Sequence, residues 1–142
     1  MKKLLHLILA AIFVFTLCLP ADAQDAAEPP KKTEKQILEE NVEILTKKVY
    51  GSSLFSSEDS DMLIEIRTQL NAMADTKLSS PAQAKLFYNA AFIFKAREYK
   101  QDAIQYFKVV LENFPETVYS KRAISELEKY GVNLNEESEE EE

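Results

Sequence analysis

The chain has 142 residues, with 17 basic and 24 acidic side chains, and its formal net charge at neutral pH is −7. Six of the acids lie between Glu136 and Glu142, so the acidity is concentrated there and the remainder is close to neutral. The chain has no basic footprint for nucleic acid, and we therefore expect no nucleic-acid partner.

Residues 1–23 have the pattern of a secretory signal peptide. Lys2 and Lys3 precede an apolar run of 16 residues, and the small residues Ala21 and Ala23 form an A-x-A cleavage site. The run is shorter than the roughly 20 residues that a membrane-spanning helix needs. We therefore expect cleavage before Gln24, a periplasmic or secreted protein of the bacterial cell envelope, and no transmembrane segment after cleavage. An uncleaved anchor and a lipid on Cys18 are the alternatives.

The same cleavage limits the chemistry of the mature protein. His6 and Cys18, the only histidine and the only cysteine, both lie within the predicted signal. Their loss excludes Ser–His and Cys–His catalysis and nearly all zinc sites. We therefore expect a protein that is not an enzyme and has no catalytic residues, metal site or cofactor. A hydrolase that uses carboxylates is the remaining enzymatic alternative, and it requires acids that converge in a pocket.

The first predicted helix follows a polar linker, residues 24–32. Thr33 and Gln36 form a capping-box pattern, and Gly51 is predicted to end the helix as a left-handed cap. Its apolar residues form one stripe: Leu38, Val42, Leu45 and Val49. The stripe predicts packing against the next helix. It also fits two heptads of a coiled coil, which leaves open a structural homo-oligomer assembled through residues 33–50.

A short loop and a second helix come next. Leu54 and Phe55 are expected to tuck beneath the loop, and the helix is predicted to begin at Ser56 or Ser57 and to fade near Lys77. Its apolar stripe contains Met62, Leu63, Ile66, Leu70 and Met73. The pattern predicts one helix packed on the first.

Residues 82–97 and 100–113 are predicted to form a helical hairpin. Ser80 can cap the first helix, Pro81 fits its first position, and Gln83 completes a second capping-box pattern. Pro115 prevents the second helix from continuing. Large and small apolar residues alternate along both helices, which favours a close antiparallel contact.

Residues 82–115 resemble one tetratricopeptide repeat, whose pattern is W-x2-L-G-x2-Y, A-x3-F, P. Phe87, Ala90 and Ala91 stand where the family has tryptophan, leucine and glycine, and three residues match it outright: Ala103, Phe107 and Pro115. Pro81 and Pro115 are separated by the repeat length of 34 residues. The turn AREYKQD departs from the family, because it lacks the usual glycine and shifts Tyr99 by one residue.

A last helix is predicted after Pro115. Its apolar face contains Val118, Ala123, Ile124, Leu127 and Tyr130. Ile124 and Ser125 fall 34 residues after Ala90 and Ala91, as a following first helix requires. Gly131 is predicted to end it, with Val132 completing a Schellman motif. Residues 133–142 are predicted to be a disordered acidic tail.

The predicted fold is therefore all-α: a short helical array, similar to tetratricopeptide stacks, of about five antiparallel helices over residues 33–132. The resemblance implies a non-enzymatic scaffold or adaptor that binds a protein partner. Small periplasmic members of the family serve envelope assembly and division, and the same role is expected here.

The partner site that the resemblance implies is the inner face of a first helix. On the helix over residues 82–97, four side chains recur at spacings of 3, 4 and 3 residues: Lys85, Tyr88, Phe92 and Lys95. Two aromatic rings between two cations would give a peptide an apolar anchor and charge recognition. The alternative is that Tyr88 and Phe92 pack against the second helix.

Overall fold

The computed structural model describes residues 31–133. The predicted signal peptide, nearly all of the predicted linker and the acidic segment after Asn133 lie outside the described residues. The described part contains five helices and no strand, which confirms the all-α prediction. The helices are α1 (Glu34–Tyr50), α2 (Ser57–Ala74), α3 (Pro81–Ala96), α4 (Lys100–Asn113) and α5 (Val118–Lys129).

The helices form two layers joined by short turns, so that consecutive helices run antiparallel. The most extensive helix contact is between α3 and α4, the predicted hairpin. Helix α3 also contacts α1 on one side and α5 on the other, which places the three odd-numbered helices side by side. No helix within residues 31–133 combines the length and the apolar content needed to cross a bilayer.

The helix starts follow the capping chemistry of the sequence. In α1, Gln36 N donates to Thr33 Oγ1 at 3.3 Å, and Thr33 N donates to Gln36 Oε1 at 2.9 Å. In α3, Gln83 Oε1 accepts a hydrogen bond from Ser80 N at 2.9 Å. These bonds satisfy backbone donors that the first turn of a helix leaves without partners.

The core lies where α3 and α4 meet. Large rings and small side chains alternate there, and the fully buried members are Ala84, Phe87, Ala90, Ala91, Phe94, Ala103, Tyr106 and Phe107. The alanines allow the helix backbones to approach, and the rings fill the space beside them. The large–small pattern in the sequence therefore corresponds to the packed centre of the molecule.

Helix α1 uses its apolar stripe inside the molecule. Leu38, Val42 and Leu45 are buried, and α1 packs against both α2 and α3. Ile44 is the exposed member of its apolar residues. A coiled coil through residues 33–50 would have to remove the buried stripe from this core.

Helix α2 is held mainly by charged and polar contacts. Lys48 Nζ of α1 donates to both carboxylate oxygens of Asp59, at 2.7 and 2.6 Å. Arg67 Nη2 donates to Asp102 Oδ2 at 2.8 Å, and the Arg67 guanidinium lies over the ring of Phe94. Burial raises the pKa of Tyr106 to about 12, and its hydroxyl donates to Asn71 Oδ1 at 2.9 Å. The apolar stripe alone does not account for the position of α2.

Two helix ends differ from the predicted turns. Gly51 has φ −81°, and the left-handed conformation falls instead on Ser52, because α1 continues by one residue before it turns. Glu98 takes φ +65° in the turn that lacks glycine. At the end of α5 the Schellman prediction is confirmed: Gly131 has φ +72°, and Val132 N donates to Leu127 O at 3.1 Å.

Three apolar residues lie elsewhere than predicted. Leu54 is 94% exposed, whereas Phe55 is partly buried with the Arg97 guanidinium 4.7 Å from its ring centre. Val118 is exposed because it occupies the first position of α5. In α5 the fully buried positions are Ala123 and Leu127 rather than Ile124, so the register of α5 is one residue away from the predicted match.

Candidate functional site

The four predicted site residues lie on α3, towards the side where the odd-numbered helices are neighbours. Together with side chains from α1 and α5 they make a surface that we call the aromatic face. Its members are Tyr50 of α1; Lys85, Tyr88, Phe92 and Lys95 of α3; and Tyr119, Arg122, Glu126 and Lys129 of α5.

Phe92 is joined to α1 through Tyr50. Their ring centres are 5.0 Å apart and the rings are inclined by 23°, so they are stacked. Phe92 is partly buried, whereas Tyr50 is 70% exposed. The pair forms an aromatic platform that is open to solvent on the Tyr50 side. Such rings present a large contact area with few rotatable bonds.

Tyr88 lies in an aromatic cluster between α3, α4 and α5. Its ring centre is 5.6 Å from that of Phe107 and 5.6 Å from that of Tyr119. Burial raises the pKa of the Tyr88 hydroxyl; Glu126 raises it further, while Arg122 and Lys129 oppose the rise. The charges of α5 therefore lie near this ring. The ring contacts of Tyr88 and Phe92 are with α1, α4 and α5, and not with the second helix.

Lys95 is part of an ion-pair network with α5. Its ammonium group donates to Glu126, and Lys129 Nζ donates to the other oxygen of the same carboxylate at 2.8 Å. Burial alone would raise the pKa of Glu126, but the hydrogen bonds from Lys129 and Lys95 outweigh it and hold that pKa below its usual value. The network fixes the position of the Lys95 charge and leaves one excess positive charge.

Lys85 lies apart from the other three, in a cleft between α1 and α3. The cleft has a volume of about 270 Å³, and Glu39, Val42, Glu43, Leu86 and Asn89 also line it. The hydrogen bond from Lys47 holds the pKa of Glu43 below its usual value, and the charge of Lys85 adds to this effect. The structure thus brings Tyr88 and Lys95 to α5, Phe92 to Tyr50, and Lys85 to the acids of α1.

The sequence interpretation missed the contributions of the neighbouring helices. Tyr119, Arg122, Glu126 and Lys129 recur in α5 at spacings of 3, 4 and 3, the same spacings as the four residues of α3. That repeated spacing was the available signal. Tyr50 carried no such signal, because it is the last residue of its helix.

The described residues include no group of three or more His, Cys, Asp or Glu side chains placed to hold a metal ion. The aromatic face combines partly exposed rings with charges at fixed positions, which suits the binding of a polypeptide. No protein-family model, curated protein or solved structure matches this chain.

Proposed function

We propose that the protein is an exported, non-enzymatic adaptor that binds a protein partner on the aromatic face. We further propose that α1–α2 and α3–α4 are two units of a short tetratricopeptide-like stack, with α5 as the closing helix. The proposed location is the periplasm or another part of the cell envelope, and the proposed role is the assembly of a complex there, as in envelope assembly or division.

The observation that carries the proposal is the solvent-open stack of Tyr50 on Phe92. The core of the molecule is complete without the outer side of this pair, since α3 already buries Phe87 and Phe94 against α4. Exposed aromatic residues beside charges of fixed position are typical of the residues that dominate binding energy at protein interfaces.

Two features support the repeat proposal. The odd-numbered helices are neighbours along one layer, as first helices are in stacked helical hairpins. The buried residues of α5, Ser120, Ala123 and Leu127, follow those of α3, Phe87, Ala90 and Phe94, at a constant interval of 33 residues. Repeats in the same register would produce this spacing.

Capture from an envelope extract of the source bacterium tests the proposal. The chain and the variant Phe92→Ala are each immobilised, and the retained proteins are identified by mass spectrometry. We expect a protein that the parent retains and the variant loses. Removal of an interface anchor typically weakens binding by about 2 kcal/mol or more, which corresponds to about 30-fold in the dissociation constant.

Ile64→Ala is the matched control. Ile64 is a large apolar residue of α2 that is 61% exposed, and it lies outside the aromatic face. The control should retain the same protein as the parent. Equal retention by Phe92→Ala and the parent would contradict the proposed site, and loss in both variants would show a non-specific apolar contact.

A further inference from the structure

The Glu-rich segment, residues 134–142, begins where the described residues end, immediately after the turn that closes α5. It contains six glutamates and no basic residue. We propose that this segment binds back onto the α3–α5 part of the aromatic face of its own chain. That it would thereby compete with a partner rests on the proposed function; the docking itself does not.

Charge complementarity is the first argument. Helix α3 contains no acidic residue between Pro81 and Ala96. On the aromatic face, α3 and α5 together present Lys85, Lys95, Arg122 and Lys129 against the single carboxylate of Glu126. Glu126 is already engaged by two lysines. An acidic segment therefore meets a local excess of three positive charges.

The opposite layer gives the segment no comparable surface. Helix α2 carries Glu58, Asp59, Asp61 and Glu65 against one cation, Arg67, which is paired with Asp102. Like charges repel, and the repulsion is strongest at low salt. The distribution of charge between the layers thus directs an acidic segment towards α3 and α5.

The chain length is sufficient for the contact. Arg122 and Lys129 lie seven residues apart on one side of α5, which corresponds to about 10 Å along the helix. Nine extended residues reach about 30 Å. Starting from Asn133 beside the end of α5, the segment can pass Lys129 and Lys95 and reach Arg122. Tyr88 and Phe92 lie beside this path on α3.

Paramagnetic relaxation in the full chain tests the proposal. Cys18→Ser removes the one native cysteine, and Ser138→Cys takes a nitroxide label within the Glu-rich segment. We expect loss of amide signal from Tyr88, Lys95 and Arg122 at low salt. Raising the salt from about 0.01 M to about 1 M shortens the screening length from about 30 Å to about 3 Å and should restore these signals.

Adjacent cations on α5 supply a matched pair of variants. Arg122→Gln should weaken the signal loss, whereas Lys121→Gln, with the same change of charge at another exposed position, should leave it unchanged. Equal effects of the two variants, or signal loss confined to residues that adjoin the label in sequence, would overturn the proposal.

Mixing an isotope-labelled chain that lacks the nitroxide with a nitroxide-labelled chain of natural isotopes identifies contacts between copies. Signal loss in that mixture would show that a second copy supplies the segment, and would also overturn the intramolecular assignment. None of these outcomes depends on whether an external partner exists, so failure here leaves the capture experiment as a separate test.

Discussion

Glu98 and Gly131 both take the left-handed backbone conformation, but only one of them is the residue that usually occupies it. Their φ angles are +65° and +72°. For a residue with a Cβ atom this conformation costs about 1–2 kcal/mol, whereas glycine adopts it freely. The turn between α3 and α4 is therefore strained in a way that the turn after α5 is not.

Glu98→Gly and Gly131→Ala should change stability in opposite directions. Glycine at 98 relieves the backbone strain but gives the unfolded chain more freedom, so we expect a net gain of up to about 1 kcal/mol. Alanine at 131 meets no atom within 4 Å and loses only the backbone preference, so we expect a loss of about 1 kcal/mol. Urea unfolding measures both; a loss for Glu98→Gly would contradict the turn conformation.

Asp59 gives a prediction about pH. The hydrogen bond from Lys48, followed by that from Ser56 N, holds the pKa of this carboxyl below its ordinary value of 3.8, although burial opposes the effect. The pair therefore stabilises the folded state above about pH 3.8, and this contribution is lost as the pH falls through the lowered pKa. Asp59→Asn should be less stable than the parent at pH 7, and the difference should shrink as the pH falls below this window.

Urea unfolding of both chains at pH 7 and near pH 3 makes this comparison. Asp61→Asn is the control, because Asp61 is an exposed acid near the start of the same helix. It should cause little change at either pH. A difference between Asp59→Asn and the parent that stays constant across the range would contradict the role of the charge.

At the scale of the helices, the close approach of α3 and α4 rests on alanines that have no room to grow. Ala91 is fully buried in this contact. Ala91→Leu should force the helices apart, and overpacking of this kind typically costs about 1–3 kcal/mol. Thermal melts measure the loss. Ala96→Leu, an exposed position in the last turn of α3, is the control and should melt close to the parent; equal melts for both variants would contradict the helix pairing.

The helices themselves could be predicted because their signals are local. Caps at Thr33 and Ser80, the stops at Pro115 and Gly131, and apolar periodicity depend on residues within a few turns of each other. The predicted bounds of α4 agree with the structure, and those of α3 differ by one residue. The buried stripes of α1 and α2 were also predicted, apart from the exposure of Ile44.

The candidate site could be predicted only in part because it is made by several helices. The spacing within α3 identified Tyr88 and Phe92, but the stack on Tyr50 and the ion pair with Glu126 join residues more than 30 positions apart in the chain. Turn geometry decides such contacts. The left-handed residue at 52 and the one-residue change of register in α5 could not be derived from periodicity, since a one-residue change in a turn rotates the following helix by about 100°.

At the scale of the whole molecule, the predicted export of the chain has its own test. We expect an exported protein that begins at Gln24, because paired lysines, a short apolar run and an A-x-A site occur in the required order. Intact-mass measurement of the exported protein decides this. Retention of residues 1–23, or the added mass of a lipid on Cys18, would contradict it.

The central claim is that the two layers build a core between α3 and α4 and leave the aromatic face free for binding. Phe92 and Phe94 lie two residues apart on α3 and represent the two sides of this division. Phe94 is fully buried, whereas Phe92 is partly buried and stacked on an exposed tyrosine. The structure therefore assigns Phe94 to stability and Phe92 to the face.

Thermal and urea unfolding of Phe92→Ala and Phe94→Ala test this claim most directly. We expect Phe94→Ala to lose about 3–5 kcal/mol, as a truncated core ring does. Phe92→Ala should lose only the stacking contact and part of its buried area, about 1–1.5 kcal/mol. If Phe92→Ala instead destabilises the protein as much as Phe94→Ala, then Phe92 belongs to the core and the aromatic face is not a binding surface.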